Sequence, residues 1–152
     1  LEYIKNNEKV MDLYCGTGSI GIYVSAKASD ILGVEIVKDA IENANNNKKL
    51  NNIDNILFKC GDVEKIISSN DKYDTIIVDP PRAGLDKKTA HYLKKINPVK
   101  IIYVSCDPIT LASDLKDLSE SYDIKYIRLF NMFPRTYHCE SVCILETRRR
   151  IW

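Results

Sequence analysis

The 152-residue chain has no apolar run approaching the roughly 20 residues needed to span a bilayer as a helix. It also lacks the basic segment, apolar core and small-residue cleavage site of a signal peptide. No C-x-x-C occurs, so the commonest zinc-ligand spacing is missing and no metal site is expected. Neither sign of charge is in excess: 22 Lys and Arg stand against 21 Asp and Glu, a formal net charge of +1. That excludes a globally basic nucleic-acid binder; such a partner would need a local patch or another domain. There is no internal repeat, no low-complexity segment and no break in composition. What remains is a single domain, of a size that buries roughly 68–70% of its unfolded surface. Five cysteines are present, Cys15, Cys60, Cys106, Cys139 and Cys143. Their odd number and their spread through predicted core point to a reducing compartment, so a cytoplasmic location is expected. The sequence opens on Leu1, close to its first predicted strand, and is read as a fragment of a longer protein.

The chain is organised around the stretch Val10 to Gly21. An apolar strand of about Lys9 to Tyr14 runs into Cys15-Gly16-Thr17-Gly18-Ser19-Ile20-Gly21, a G-x-G-x-x-G turn, and a helical pattern follows from Ser19 to about Ala28. Glycine lets backbone turn tightly and approach a ligand, because no Cβ intervenes. Glu35 closes the next apolar run, Asp30 to Val34, about 20 positions past Gly16, the distance of a ribose-holding carboxylate in a nucleotide-binding βαβ unit.

The acids select among nucleotides. Asp12 lies within the first strand, and Glu35, Asp62 and Asp79 end later ones. In an open α/β sheet those ends line the ligand crevice. Four carboxylates disfavour a pyrophosphate, which seeks bare N–H groups. They suit a cation carrying hydroxyls and an amine, and S-adenosylmethionine meets that description.

Further strands are expected over Ile56 to Cys60, Tyr73 to Val78, Lys100 to Val104, Tyr122 to Phe130 and Ser141 to Glu146. Helices are expected over Val37 to Leu50, Val63 to Ser69, Asp86 to Ile96 and Ile109 to Ser119. Asp62 and Asp86 stand at cap positions. Asp79-Pro80-Pro81-Arg82 forms a stiff acidic corner after the fourth strand. Cys106 falls at a strand tip beside a helix N-terminus opened by Pro108, a setting that favours a thiolate; an inert cysteine is the alternative. The alternation predicts an α/β fold with a seven-stranded, mostly parallel, doubly wound sheet, and the last two strands, joined only by a loop, should pair antiparallel. Arg148-Arg149-Arg150 forms a small basic tail.

Four stretches carry a resemblance: Asp12 to Gly21, Asp79 to Gly84, the SCDP segment from Ser105 to Pro108 with the helix after it, and Met132 to Glu140. Together they resemble the RNA uracil-5-methyltransferase family, which forms 5-methyluridine in tRNA or rRNA. The resemblance implies a Rossmann-like class I methyltransferase domain spanning residues 1–152 and dependent on S-adenosylmethionine, with S-adenosylhomocysteine as product. By the same resemblance Cys106 is the nucleophile and Glu140 the general base. It places Tyr14, Gly16, Gly18, Ser19, Glu35, Asp62 and Asp79 against the cofactor, and Arg82, Phe133, Tyr137 and His138 near the RNA. An RNA-binding domain, and in some members an iron–sulfur cluster, would lie outside this chain. Two positions depart from the pattern. Cys139 stands where an apolar β-branched residue is common, and Ser113 where an arginine is frequent. Three other readings compete: methylation of an exocyclic amine, which would not need Cys106; an NAD-dependent oxidoreductase, which leaves SCDP and HCE unexplained; and an RNA-binding module with an idle pocket.

Overall fold

The computed structural model describes residues 2–67, 72–132, 134–136 and 139–148. The elements are β1 (Lys9–Leu13), α1 (Ser19–Val24), β2 (Asp30–Glu35), α2 (Lys38–Leu50), β3 (Ile56–Cys60), α3 (Val63–Ile66), β4 (Thr75–Val78), α4 (Lys87–Ile96), β5 (Lys100–Ser105), α5 (Pro108–Leu118), β6 (Tyr122–Phe130) and β7 (Glu140–Thr147). One sheet holds all seven strands in the order β3-β2-β1-β4-β5-β7-β6. Strands β1 to β5 run parallel to one another. The order reverses between β1 and β4, which opens a crevice outside the strands' C-terminal ends.

The expected antiparallel pairing of the last two strands is present, with a further feature. β7 inserts between β5 and β6 and runs antiparallel to both. Burial explains its place. β7 carries buried Ser141, Cys143, Ile144 and Leu145, whereas β6 exposes Ile124, Ile127 and Leu129. The more apolar strand takes the interior position and the more polar one becomes the edge.

Alternate residues of each central strand feed two cores, as strand geometry requires. On one face Met11, Leu13, Val34, Ile76, Val78, Ile101 and Tyr103 meet residues of α3, α4 and α5. On the other, Val10, Ile31, Ile56, Phe58 and Ile77 meet α1, α2 and Ile4. Both faces are covered, which is why the parallel strands read as unbroken apolar runs.

Element ends moved for local reasons. β1 stops at Leu13 because Tyr14 adopts a left-handed φ of 59°. α1 stops at Val24, where Ser25 caps it by bonding Ile22 O. β4 starts at Thr75, two residues later than expected; Asp74 instead accepts the Lys9 amide at 2.8 Å. α3 ends at Ile66, short of the expected Ser69, and Ile67 is already outside the helix; residues 68–71 lie outside the described residues. Asp86 and Asp107 cap α4 and α5 through two backbone amides each. Among the described residues no helix is long and apolar enough to cross a membrane.

Candidate active site

The glycine turn is shaped by what lies beneath it. Gly18 has φ 81°, and a Cβ there would lie 2.4 Å from the Phe58 ring. Gly21 has no room either: a Cβ would meet Ile56 at 2.7 Å and the Asp12 carboxylate at 3.1 Å. Its amide donates to Asp12 Oδ2 at 2.9 Å. Gly16 differs, since a Cβ there would meet nothing within 4 Å; its backbone faces open space where a ligand can approach.

Asp12 corrects the expectation that it lines the crevice. It is fully buried under the turn. Its Oδ1 has no hydrogen-bond partner among the described residues. Burial, with a smaller push from Asp79, drives its pKa up to about 7 against the stabilising Gly21 amide.

Beside the turn lies a cleft of about 260 Å³, whose walls include Tyr14, Glu35, Asp62, Asp86, Lys88 and Thr89. Glu35 is locked in place: Oε1 accepts the Ile36 and Val37 amides at 2.8 and 3.0 Å, and Oε2 accepts the Gly16 amide at 3.2 Å. The acid thus ties the end of β2 to the glycine turn. Across the cleft the Tyr14 hydroxyl reaches Asp86 Oδ2 at 2.9 Å and Thr89 Oγ1 at 3.1 Å. A tyrosine in left-handed backbone is uncommon and costs energy; these two bonds to the first turn of α4 hold it. Ser19 is exposed at the start of α1. The cleft brings Tyr14, Glu35 and Asp62 together. Asp86, Lys88 and Thr89 were missed as its lining, because sequence alone marked Asp86 only as a cap and gave no signal for a partner 72 positions away.

A second cluster forms where β4 and β5 end and β7 begins. β5 and β7 are in register with Ser105 opposite Ser141. One residue beyond that pair stand Cys106 on one strand and Glu140 on the other. Cys106 is half-buried and held in a tight turn. The buried Ser105 hydroxyl donates to Asp107 O at 2.9 Å and accepts the Asp107 amide at 3.1 Å. Asp107 in turn accepts the Ile109 and Thr110 amides. The first amides of α5 therefore serve Asp107 and not Cys106, which corrects the simple picture of a bare helix terminus. Asp79 is close enough to Glu140 to feel its charge: desolvation first, and the Glu140 carboxylate second, hold the Asp79 carboxyl above the usual range. Asp114 of α5 fixes the loop after Asp79. It accepts the Leu85 amide at 2.8 Å and the Tyr103 hydroxyl at 2.5 Å, and Gly84 leaves it the necessary space. Arg82 is exposed on that loop. Phe133, Tyr137 and His138 lie outside the described residues.

Three of the other four cysteines are poorly placed for chemistry, while half-buried Cys139 directly precedes Glu140. Cys15 and Cys143 are buried, and burial drives both thiols up, Cys143 to about 11. Cys60 donates to Ile36 O away from this corner. No group of three or more metal-ligating side chains is present among the described residues.

A doubly wound sheet with a glycine turn, a carboxylate-lined crevice and an antiparallel seventh strand defines a class I, S-adenosylmethionine-dependent methyltransferase domain. Within that class the chain belongs to the tRNA (uracil-5-)-methyltransferase family, whose model matches residues 60–148; a small methyltransferase domain model matches residues 1–96. An uncharacterized RNA methyltransferase of Clostridium acetobutylicum is 45% identical over 94% of this chain and 32% of its own length. One from Mycoplasma mobile is 44% identical over 95% of this chain and 40% of its own. Among solved structures, the Pyrococcus abyssi tRNA (uracil-54, C5)-methyltransferase in complex with S-adenosyl-L-homocysteine has a TM-score of 0.84 and 38% identity, over 95% of this chain and 35% of that one. The chain thus spans about a third of the length of these relatives.

Proposed function

We propose that this chain is the catalytic domain of a longer RNA methyltransferase that transfers a methyl group to C5 of a uridine in tRNA or rRNA. The observation that carries this reading is the β5–β7 register, which sets Cys106 and Glu140 one step beyond the Ser105–Ser141 pair. A thiol and a carboxylate at adjacent strand ends can serve the same ring.

Uracil C5 is a weak nucleophile. The Cys106 thiolate adds to C6, and the electron pair of the C5=C6 bond moves into the ring as an enolate. S-adenosylmethionine supplies the methyl group, which C5 takes as the sulfonium leaves as a neutral thioether. Glu140 then removes the C5 proton. The electrons of that C–H bond restore C5=C6 and expel Cys106 as thiolate. The cleft suits the donor's chemistry: Glu35 and Asp62 offer carboxylates for ribose hydroxyls and an adenine amine, and Asp79 offers negative charge toward the cation. Tyr14, Gly16, Gly18 and Ser19 form the adjoining wall and turn. Reaching Cys106 requires a base that is unstacked or flipped out of a helix. Arg82, Phe133, Tyr137 and His138 are the proposed contacts to that base and its backbone. RNA binding is expected to draw on protein outside this chain, given its near-neutral charge.

Full-length enzyme, labelled methyl donor and unmodified RNA, followed by nucleoside analysis, test the reading. Label in 5-methyluridine that disappears with Cys106→Ala supports it. Label in a methylated adenine or guanine, insensitive to Cys106→Ala, contradicts it and supports transfer to an exocyclic amine.

A further inference from the structure

We propose that Asp12 carries a proton in the ligand-free protein and releases it when the cationic methyl donor occupies the crevice. The inference rests on the donor reading above. It begins from geometry. Asp12 is fully buried, and among the described residues only one of its two carboxylate oxygens has a partner, the Gly21 amide. An ionised carboxylate in that setting would be an uncompensated buried charge, which proteins avoid by neutralising the group.

The surroundings make ionisation harder. The group acting on Asp12 from β4 is Asp79, itself an acid. From β7, Glu140 acts on Asp79 in turn. On the side of the turn Cys15 feels both Asp12 and Glu35, from β1 and β2. The α1 side contributes only the Gly21 amide. Among the described residues, the charges that shift Asp12 and Asp79 are those of other acids, Asp79 and Glu140. A line of carboxylates, Asp12, Asp79 and Glu140, thus passes from beneath the glycine turn to the β7 end of the crevice. The methyl donor carries an ammonium and a sulfonium. Placed in this field, they supply the missing positive charge, favour the ionised form and expel the proton to solvent. Asp12 is then a positioning residue. It fixes Gly21 in both states and, below about pH 7, presents its charge when the donor is there to balance it. The product has lost the sulfonium charge, so it stabilises the ionised form less.

Isothermal titration of the full-length protein, in buffers of different ionisation enthalpy and across pH 6 to 8, tests this. The expected result is net proton release with S-adenosylmethionine, and less with S-adenosylhomocysteine. Donor affinity should rise with pH up to about 7, by at most about tenfold per pH unit, and level off above it. Asp12→Asn keeps an acceptor for the Gly21 amide but has no proton to lose, so the buffer dependence should vanish. A second measurement needs no ligand. Because the folded pKa is raised from 3.8 to about 7, the wild type should lose stability relative to Asp12→Asn as pH rises through that window. Donor binding without any buffer dependence would overturn the proposal, as would parallel pH–stability curves. If neither ligand binds, the donor reading itself fails and the inference falls with it.

Discussion

The two halves of the sheet reach the crevice by different routes. In the parallel half, β3-β2-β1-β4, each functional group follows its strand within a few residues. Gly16 and Gly18 come directly after β1, Glu35 closes β2, Asp62 follows β3 and Asp79 follows β4. Neighbouring strands lie in simple register, so a row of strand ends becomes a row of proposed ligand contacts. In the mixed half, β5-β7-β6, the two groups proposed for chemistry belong to strands running in opposite directions. Cys106 leaves the end of β5, and Glu140 enters at the start of β7. Their meeting depends on β7 inserting between β5 and β6. Binding is written locally along the chain; the chemistry depends on a long-range register.

That contrast can be broken most severely in the mixed half. Cys106→Ala should abolish methyl transfer while leaving donor affinity unchanged, because the nucleophile stands apart from the glycine turn; turnover and donor titration check this together. Glu140→Gln should slow turnover by roughly 10²–10⁴, the usual range for a lost general base. It should also let the Cys106–RNA adduct accumulate, visible as a slow-migrating species on a denaturing gel. In the parallel half the effects fall on binding and stability instead. Gly18→Ala puts a Cβ 2.4 Å from Phe58 in left-handed backbone. It should cost about 1–3 kcal/mol in denaturant unfolding, the range for overpacking, and weaken donor binding. Asp86→Ala removes the α4 cap and the partner of Tyr14. A loss of about 1 kcal/mol is expected from the cap alone, with weaker donor binding as Tyr14 loosens. Leu129→Thr lies on the exposed edge strand and should change stability by no more than about 0.5 kcal/mol.

The same contrast explains what the sequence made legible. Strand and helix alternation, the glycine turn and the acid spacing are short-range patterns, and the expected seven-stranded α/β sheet followed from them. The cap at Asp86 was readable for the same reason: a cap needs only the next three residues. The insertion of β7 was not readable, because it turns on the relative burial of two strands that each look apolar alone. Nor was the burial of Asp12. It was counted among the crevice acids, and only its full burial against the Gly21 amide shows otherwise. The Tyr14–Asp86–Thr89 contact and the Asp114 anchor on the loop after Asp79 link positions far apart in the chain. No local pattern announces them.

The central claim is that Cys106 bonds to the base and Glu140 frees it by taking the C5 proton. The most direct measurement replaces the target uridine with 5-fluorouridine, which gives Glu140 no proton to remove. After incubation with the methyl donor and protease digestion, mass spectrometry should find the methylated fluorinated nucleotide on the peptide carrying Cys106. An adduct on another cysteine, or RNA methylated at that base with no adduct, would contradict the account.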